Sequence, residues 1–218
     1  ADTLSGKTNK LTGTPTTYSS VMDIACGAQR SFFCFNRLDI QSRDRARFEL
    51  YRTGPDGSSP SLLTRGGRYK QFAISADGSN IAAVTDRAGV HSIVLVSLLL
   101  AGSSEHEKVL HRSPPRHQLA CPVYVPGDRF LLFLDTTADG TSIMRLDPIS
   151  GVVTNLLKWN CIILSPAVSP DGSHLVFSSD KSGVFNFYRM PLKDASAEPM
   201  PITHVSGGIF SPDFSPAT

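Results

Sequence analysis

The chain has 218 residues, 18% of them charged against the roughly 25% of an average globular domain, with 17 Gly and 15 Pro. The formal net charge is +2 and the basic residues are scattered, which points away from nucleic acid and from anionic membrane surfaces. The longest apolar run, IVLVSLLLAG from Ile93, falls well short of the roughly 20 residues that a spanning helix needs.

Taken in chain order, the sequence repeats itself. KLTGTPTTYSSVMDIACG (10–27) matches LLTRGGRYKQFAISADG (62–78), where a Leu-Thr strand end passes into a new strand, so residues 1–12 read as the tail of a preceding unit. A first unit, 19–64, carries CGAQRSFFCFNRLD: a Gly turn, an apolar burst and a polar exit. The second, 68–112, carries SADGSNIAAVTDRAG. The third, 117–158, carries VPGDRFLLFLDTTADG, with a shorter turn and Asp135 in the second acidic position. The fourth, 162–205, carries SPDGSHLVFSSDKSG, which aligns Ser75 with Ser169, Asp77 with Asp171, Gly78 with Gly172 and Asp86 with Asp180. PITHVSGGIFSPDFSPAT (201–218) repeats the passage between units, so 206–218 reads as the first strand of a following one.

Counted from Phe32, Ile81, Phe130 and Leu175, the spacings are 49, 49 and 45. A period of about 40–50 residues with several short strands per unit is the signature of a propeller. In the fourth unit the predicted strands are 165–169, 174–179, 185–192 and 198–205, rich in Val, Ile, Phe and Tyr and bounded by Gly, Pro, Asp and Ser. No segment sustains a helical period; SSEHEKVLHR (103–112) is read as an irregular loop between third and fourth strands. The Asp-Gly turn has a mechanical reading: Asp bonds the backbone two residues on, and Gly accepts positive φ. Asp86 and Asp180 are read as caps of loop amides in the same way. Because the acids recur one per unit, they spread around a ring rather than gather on a metal.

The stretch PAVSPDGSHLVFSSDKSGVFNFYRM (166–190) resembles the repeat of TolB-type β-propellers, which also occurs in the non-catalytic domain of prolyl oligopeptidase relatives. The resemblance is strongest in 63–98 and 163–205, weaker in 117–147 and weakest in 19–53. It implies an all-β fold: a β-propeller of four-stranded antiparallel blades, here four whole and two partial, part of a six- or seven-bladed ring. The missing blades would come from a second polypeptide or from chain continuation; the alternative is one closed five-bladed ring. The resemblance and the non-Met start favour an extracytoplasmic or secreted location.

No catalytic constellation emerges. ADTLSGKT fits a relaxed phosphate-loop pattern but lacks the preceding strand and following helix that converge amides on phosphate. The histidines of HEKVLH (106–111) are five apart, so on a helix they would diverge by about 140°. There is no Gly-x-Ser-x-Gly. No cofactor, metal or catalytic residue is assigned. Trp159 is read as packing. Four cysteines, Cys26, Cys34, Cys121 and Cys161, form no Cys-x-x-Cys pair; Cys26 and Cys34 flank one hairpin, as a bridge or as buried thiols.

In propellers, loops joining a fourth strand to the next first strand surround one mouth of the channel. Here they carry Tyr18, Arg68, Tyr69, Lys70, Arg116, His117 and Gln118, the candidate ligand contacts, of aromatic and basic types that dominate binding hot spots. The expected function is a non-catalytic binding or scaffold module for a protein, peptide, sugar or small ligand. The alternative is an enzyme-associated propeller, either the accessory domain of a serine peptidase or a lyase-type propeller.

Overall fold

A computed structural model describes residues 24–26, 32–42, 45–57, 60–99, 107–127, 129–194 and 196–214. The chain is all-β there, with sixteen strands in four antiparallel four-stranded sheets. The first sheet is β1 (Ile24–Cys26), β2 (Phe33–Ser42), β3 (Arg45–Thr53) and β4 (Ser61–Leu62). The second is β5 (Tyr69–Ile74), β6 (Asn80–Arg87), β7 (Val90–Ser97) and β8 (Glu107–Arg112). The third is β9 (Gln118–Tyr124), β10 (Leu131–Thr137), β11 (Gly140–Leu146) and β12 (Val153–Trp159). The fourth is β13 (Ile163–Val168), β14 (His174–Ser179), β15 (Asn186–Pro191) and β16 (Met200–Pro201). Within each sheet the order follows the chain, and the first strands β1, β5, β9 and β13 touch one another in succession, as the inner strands of propeller blades do.

The apolar bursts are continuous because a blade buries both faces. In β6, Ile81 and Ala83 pack with Phe32, Cys34 and Leu50 of the first sheet, whereas Ala82 and Val84 pack with Leu131 and Phe133 of the third. Between third and fourth sheets lie Leu132, Leu134 and Ile143 with Leu175, Phe177 and Tyr188. Each inter-blade seam is therefore fed by alternate residues of one strand on each side, and a period-2 signal vanishes from the sequence. Trp159 closes the last seam, edge-on to Phe177 (5.5 Å) and Tyr188 (5.2 Å), with the Lys181 ammonium 3.8 Å from its ring centre.

The Asp-Gly turns are knots of the expected kind. Asp77 accepts from the Ser75 hydroxyl (2.6 Å) and the Ser79 amide (2.9 Å), while Gly78 at φ 71° donates its amide to the Ser75 carbonyl (2.9 Å). Asp171 repeats this with Ser169 (2.5 Å) and Ser173 (3.0 Å), and Gly172 sits at φ 67°. These bonds hold the Asp77 carboxyl down at about 2 and the Asp171 carboxyl lower still, the Ser75 and Ser169 hydroxyls contributing most.

Three expectations need correction. Residues 107–112 are not a loop but strand β8, paired to β7 from Ser92–Arg112 to Val96–Glu107. Its outer edge is unpaired and none of its residues is fully buried, so only Val109 and Leu110 are apolar and the strand pattern is weak. The third unit begins its burst at Leu131 rather than Phe130: Val125 donates to the Phe130 carbonyl (2.9 Å) as Ser169 does to His174 (2.9 Å), which puts Phe130 in the turn. Asp135 is consequently in register with Thr85 and Ser179, one residue short of Asp86 and Asp180. Of the two readings of Cys34, the buried thiol is the one found: the residue is fully buried with a free thiol, and burial pushes that thiol up to about 12. The flanking segments 1–12 and 215–218 and the Cys26 side chain lie outside the described residues.

Candidate functional site: the channel and its mouth

The inner strands β5, β9 and β13 each carry a bulge near the midpoint. The pairing register slips between Tyr69 and Phe72 in β5, across Cys121 in β9, and between Leu164 and Ala167 in β13. Cys121 (φ 49°) and Ser165 (φ 49°) occupy the left-handed region at these bulges, each followed by Pro; Ser211 (φ 57°), before Pro212, does the same in the segment after the fourth sheet. That segment is anchored by the Ile209 amide donating to the Phe185 carbonyl (2.9 Å) and the Ser178 hydroxyl donating to the Ile209 carbonyl (2.5 Å). The bulges bring Gln71, Cys121 and Ser165, and the segment after the fourth sheet brings Ser211, to a common recess of about 430 Å³ that is mostly polar. Gln71 spans two blades there, its Oε1 accepting from the Cys121 amide at 2.8 Å.

Above this recess the lead-in loops are clamped by acids of their own blades. Asp86, at the end of β6, takes the Lys70 ammonium at 2.9 Å, and that contact holds its carboxyl below the usual range. Asp135 takes His117 Nδ1 at 2.9 Å. Asp180 Oδ1 accepts the Ile162 amide at 2.8 Å. The cap expected of Asp180 is there, while Asp86 uses an ion pair in place of an amide. His91 reaches across a blade seam, its Nδ1 accepting from the Leu119 amide at 3.2 Å. His111 stacks on Phe133 (5.6 Å), and burial lowers its pKa.

The candidate contacts therefore separate into three kinds. Lys70 and His117 are half-buried and occupied by Asp86 and Asp135. Tyr69 is a core residue, 2% exposed, because it opens β5 at the position filled by Leu119 in β9 and Ile163 in β13, all facing a blade seam. Its hydroxyl donates to Glu107 (2.5 Å), which also takes both terminal nitrogens of Arg87 at 2.6 Å; burial and Glu107 push the phenol well up. Arg68, Arg116 and Gln118 are exposed where the chain enters β5 and β9, and Tyr18 lies outside the described residues.

Arg68 (φ 53°) and Arg116 (φ 68°) hold left-handed backbone that, at each position, one other unit gives to glycine. Arg68 stands one residue before Tyr69, where Gly208 (φ 86°) stands one before Ile209. Arg116 stands three before Leu119, where Gly66 (φ 81°) stands three before Tyr69. The channel residues Gln71, Cys121, Ser165 and Ser211 escaped the sequence reading. The signal available for the last three was the recurring residue-Pro pair three residues before the turn region, in CPVYVP, SPAVSP and SPDFSP; Gln71, followed by Phe72, had none.

Neither a protein-family model nor a curated protein matches the chain. Solved structures do. A putative TolB from Agrobacterium tumefaciens superposes over 88% of this chain and 67% of its own, at TM-score 0.72 and 18% identity. A chain of a nidogen/laminin complex superposes over 90% and 69%, at TM-score 0.70 and 12% identity. A puromycin-hydrolyzing peptidase from Mycobacterium tuberculosis superposes over 80% of this chain and 29% of its own, at TM-score 0.59 and 21% identity. The chain thus spans about two thirds of the first two and less than a third of the peptidase. In fold, then, the chain is a β-propeller, like that of TolB.

Proposed function

We propose that this propeller is a binding module whose channel mouth takes an acidic stretch of a peptide or partner protein. The observation that carries the reading is the pair Arg68 and Arg116. Each sits in strained left-handed backbone at a position where one other unit has glycine, and each is exposed while its neighbours Lys70 and His117 are tied to acids. Strain of about 1–3 kcal/mol persists where the surroundings enforce it, and such positions concentrate at ligand-contacting sites. The inner strands β5 and β9 are adjacent, so the two guanidiniums belong to neighbouring loops of one rim. Guanidinium forks pair carboxylates in bidentate fashion, and the clamps below fix the loops that present them.

The test is selection from an immobilised random peptide library at about 0.1 M salt, where the Debye length is about 10 Å. The wild-type chain is expected to enrich sequences bearing Asp or Glu, and the Arg68→Ala/Arg116→Ala protein to lose that enrichment. Equal enrichment by both proteins, or none by the wild type, removes the reading.

A further inference from the structure

We infer that the opposite end of the blades carries a second site, for a small amphipathic carboxylate. A cavity of about 370 Å³ opens there between the third and fourth sheets, at the end where β9 turns into β10 and β13 into β14. Its volume lies at the small end of the roughly 300–1,000 Å³ range of small-molecule sites, which suits an aryl or short alkyl body. Leu132, Leu156 and Leu192 form its apolar part.

The cavity exists because the third unit departs from the repeat. Val125 stands where Ser75 and Ser169 tie their turns to Asp77 and Asp171, and Phe130 stands where Asn80 and His174 stand. The polar knot is replaced by apolar wall.

Cations gather at its edge. The Arg145 and Arg129 guanidiniums lie 4.9 and 5.8 Å from the centre of the Phe130 ring, and Lys193 completes the rim. Among the described residues none of these three forms an ion pair with a carboxylate. Asp171 also lines the cavity, but its oxygens are engaged by Ser169 and Ser173 within its own turn. An apolar pocket with two guanidiniums and an ammonium at its lip recognises one carboxylate on an apolar body: the body displaces water from the leucines, and the forks take the anion.

The experiment is an amide-resolved NMR titration of the chain with 4-phenylbutyrate and, in parallel, the neutral 4-phenylbutanol. Saturable one-site binding of the carboxylate is expected, with shifts centred on Phe130, Arg145 and Leu192. Arg129→Gln/Lys193→Gln, both exposed positions, should weaken it about tenfold, as loss of charge-assisted contacts does, and leave the alcohol's weaker binding unchanged. Arg68→Ala/Arg116→Ala should leave carboxylate binding intact, which separates this site from the channel mouth. The inference fails if no saturation is reached by about 10 mM, a concentration that only binding weaker than about −4 kcal/mol escapes. It fails equally if Arg129→Gln/Lys193→Gln changes nothing, or if the shifts centre on Arg68 and Arg116.

Discussion

Arg68 and Arg116 make a prediction whose sign is unusual. At an ordinary loop position, replacing Ala by Gly destabilises by about 0.5–1 kcal/mol, since glycine has more freedom to lose. At φ 53° and 68° a Cβ costs about 1–2 kcal/mol, a penalty that Ala keeps and Gly escapes. Setting the second term against the first, Arg68→Gly should be more stable than Arg68→Ala by up to about 1 kcal/mol, and Arg116→Gly than Arg116→Ala likewise. Arg65, exposed in the same loop as Arg68 but outside the left-handed region, is the control, where Ala should match or exceed Gly. Equilibrium urea unfolding reads the difference: with a slope of about 1–3 kcal/mol per M, the midpoints should separate by a few tenths of a molar unit. All four substitutions at 68 and 116 should weaken selection of acidic peptides, so the Gly variants gain stability while losing function. If Ala equals or outperforms Gly at 68 and 116, those residues carry no strain. The backbone is then not held there to present the guanidiniums.

Two further expectations concern titratable groups away from the mouth. Asp77 has a folded pKa of about 2, below the roughly 3.9 of an unfolded Asp, so its stabilising contribution is present above about pH 4 and is lost as pH falls toward 2. Because the carboxylate is exposed, solvent screening keeps that contribution below about 1 kcal/mol. The stability gap between wild type and Asp77→Asn should accordingly narrow between pH 6 and pH 2 in urea melts; a gap independent of pH would contradict the hydrogen-bonded knot. Cys34, with its thiol raised to about 12 by burial, should resist iodoacetamide in the native protein and react on unfolding. Peptide mapping of labelled protein checks this, and native-state labelling of Cys34 at the rate of an exposed thiol would show that the seam between first and second sheets is open.

How much was legible in the sequence follows from which interactions are local. The Ser-x-Asp-Gly turns were readable because donor, acceptor and the residue needing positive φ all lie within five positions of one another. The repeat was readable because each blade solves the same packing problem, so IAAV, LLFL and LVF recur where strands bury both faces. β8 was missed because an outer strand has no fully buried residue and only two apolar ones, Val109 and Leu110, to announce it. Phe130 was placed one residue early because an aromatic in a turn and an aromatic opening a strand look alike until the pairing register separates them.

The mouth divides along the same line. That lead-in loops would carry Arg68, Lys70, Arg116 and His117 was visible in the residue order. Which of them are occupied depends on Asp86 and Asp135, sixteen to eighteen residues away and brought alongside only by the β-pairing of first and second strands. Tyr69 looked like a surface aromatic beside two basic residues; strand parity sends it into the seam with Leu119 and Ile163. The channel lining and the cavity between third and fourth blades were beyond sequence reasoning altogether. Each joins side chains from strands or turns tens of residues apart, and a chain encodes such neighbours only through the register and stacking of its sheets. By itself, then, the sequence determined the unit, its turns and its number of repeats in view, because those rest on contacts along one hairpin. Tertiary structure alone decided which charges remain open to a ligand, because that depends on what the neighbouring strand and the neighbouring blade place beside them.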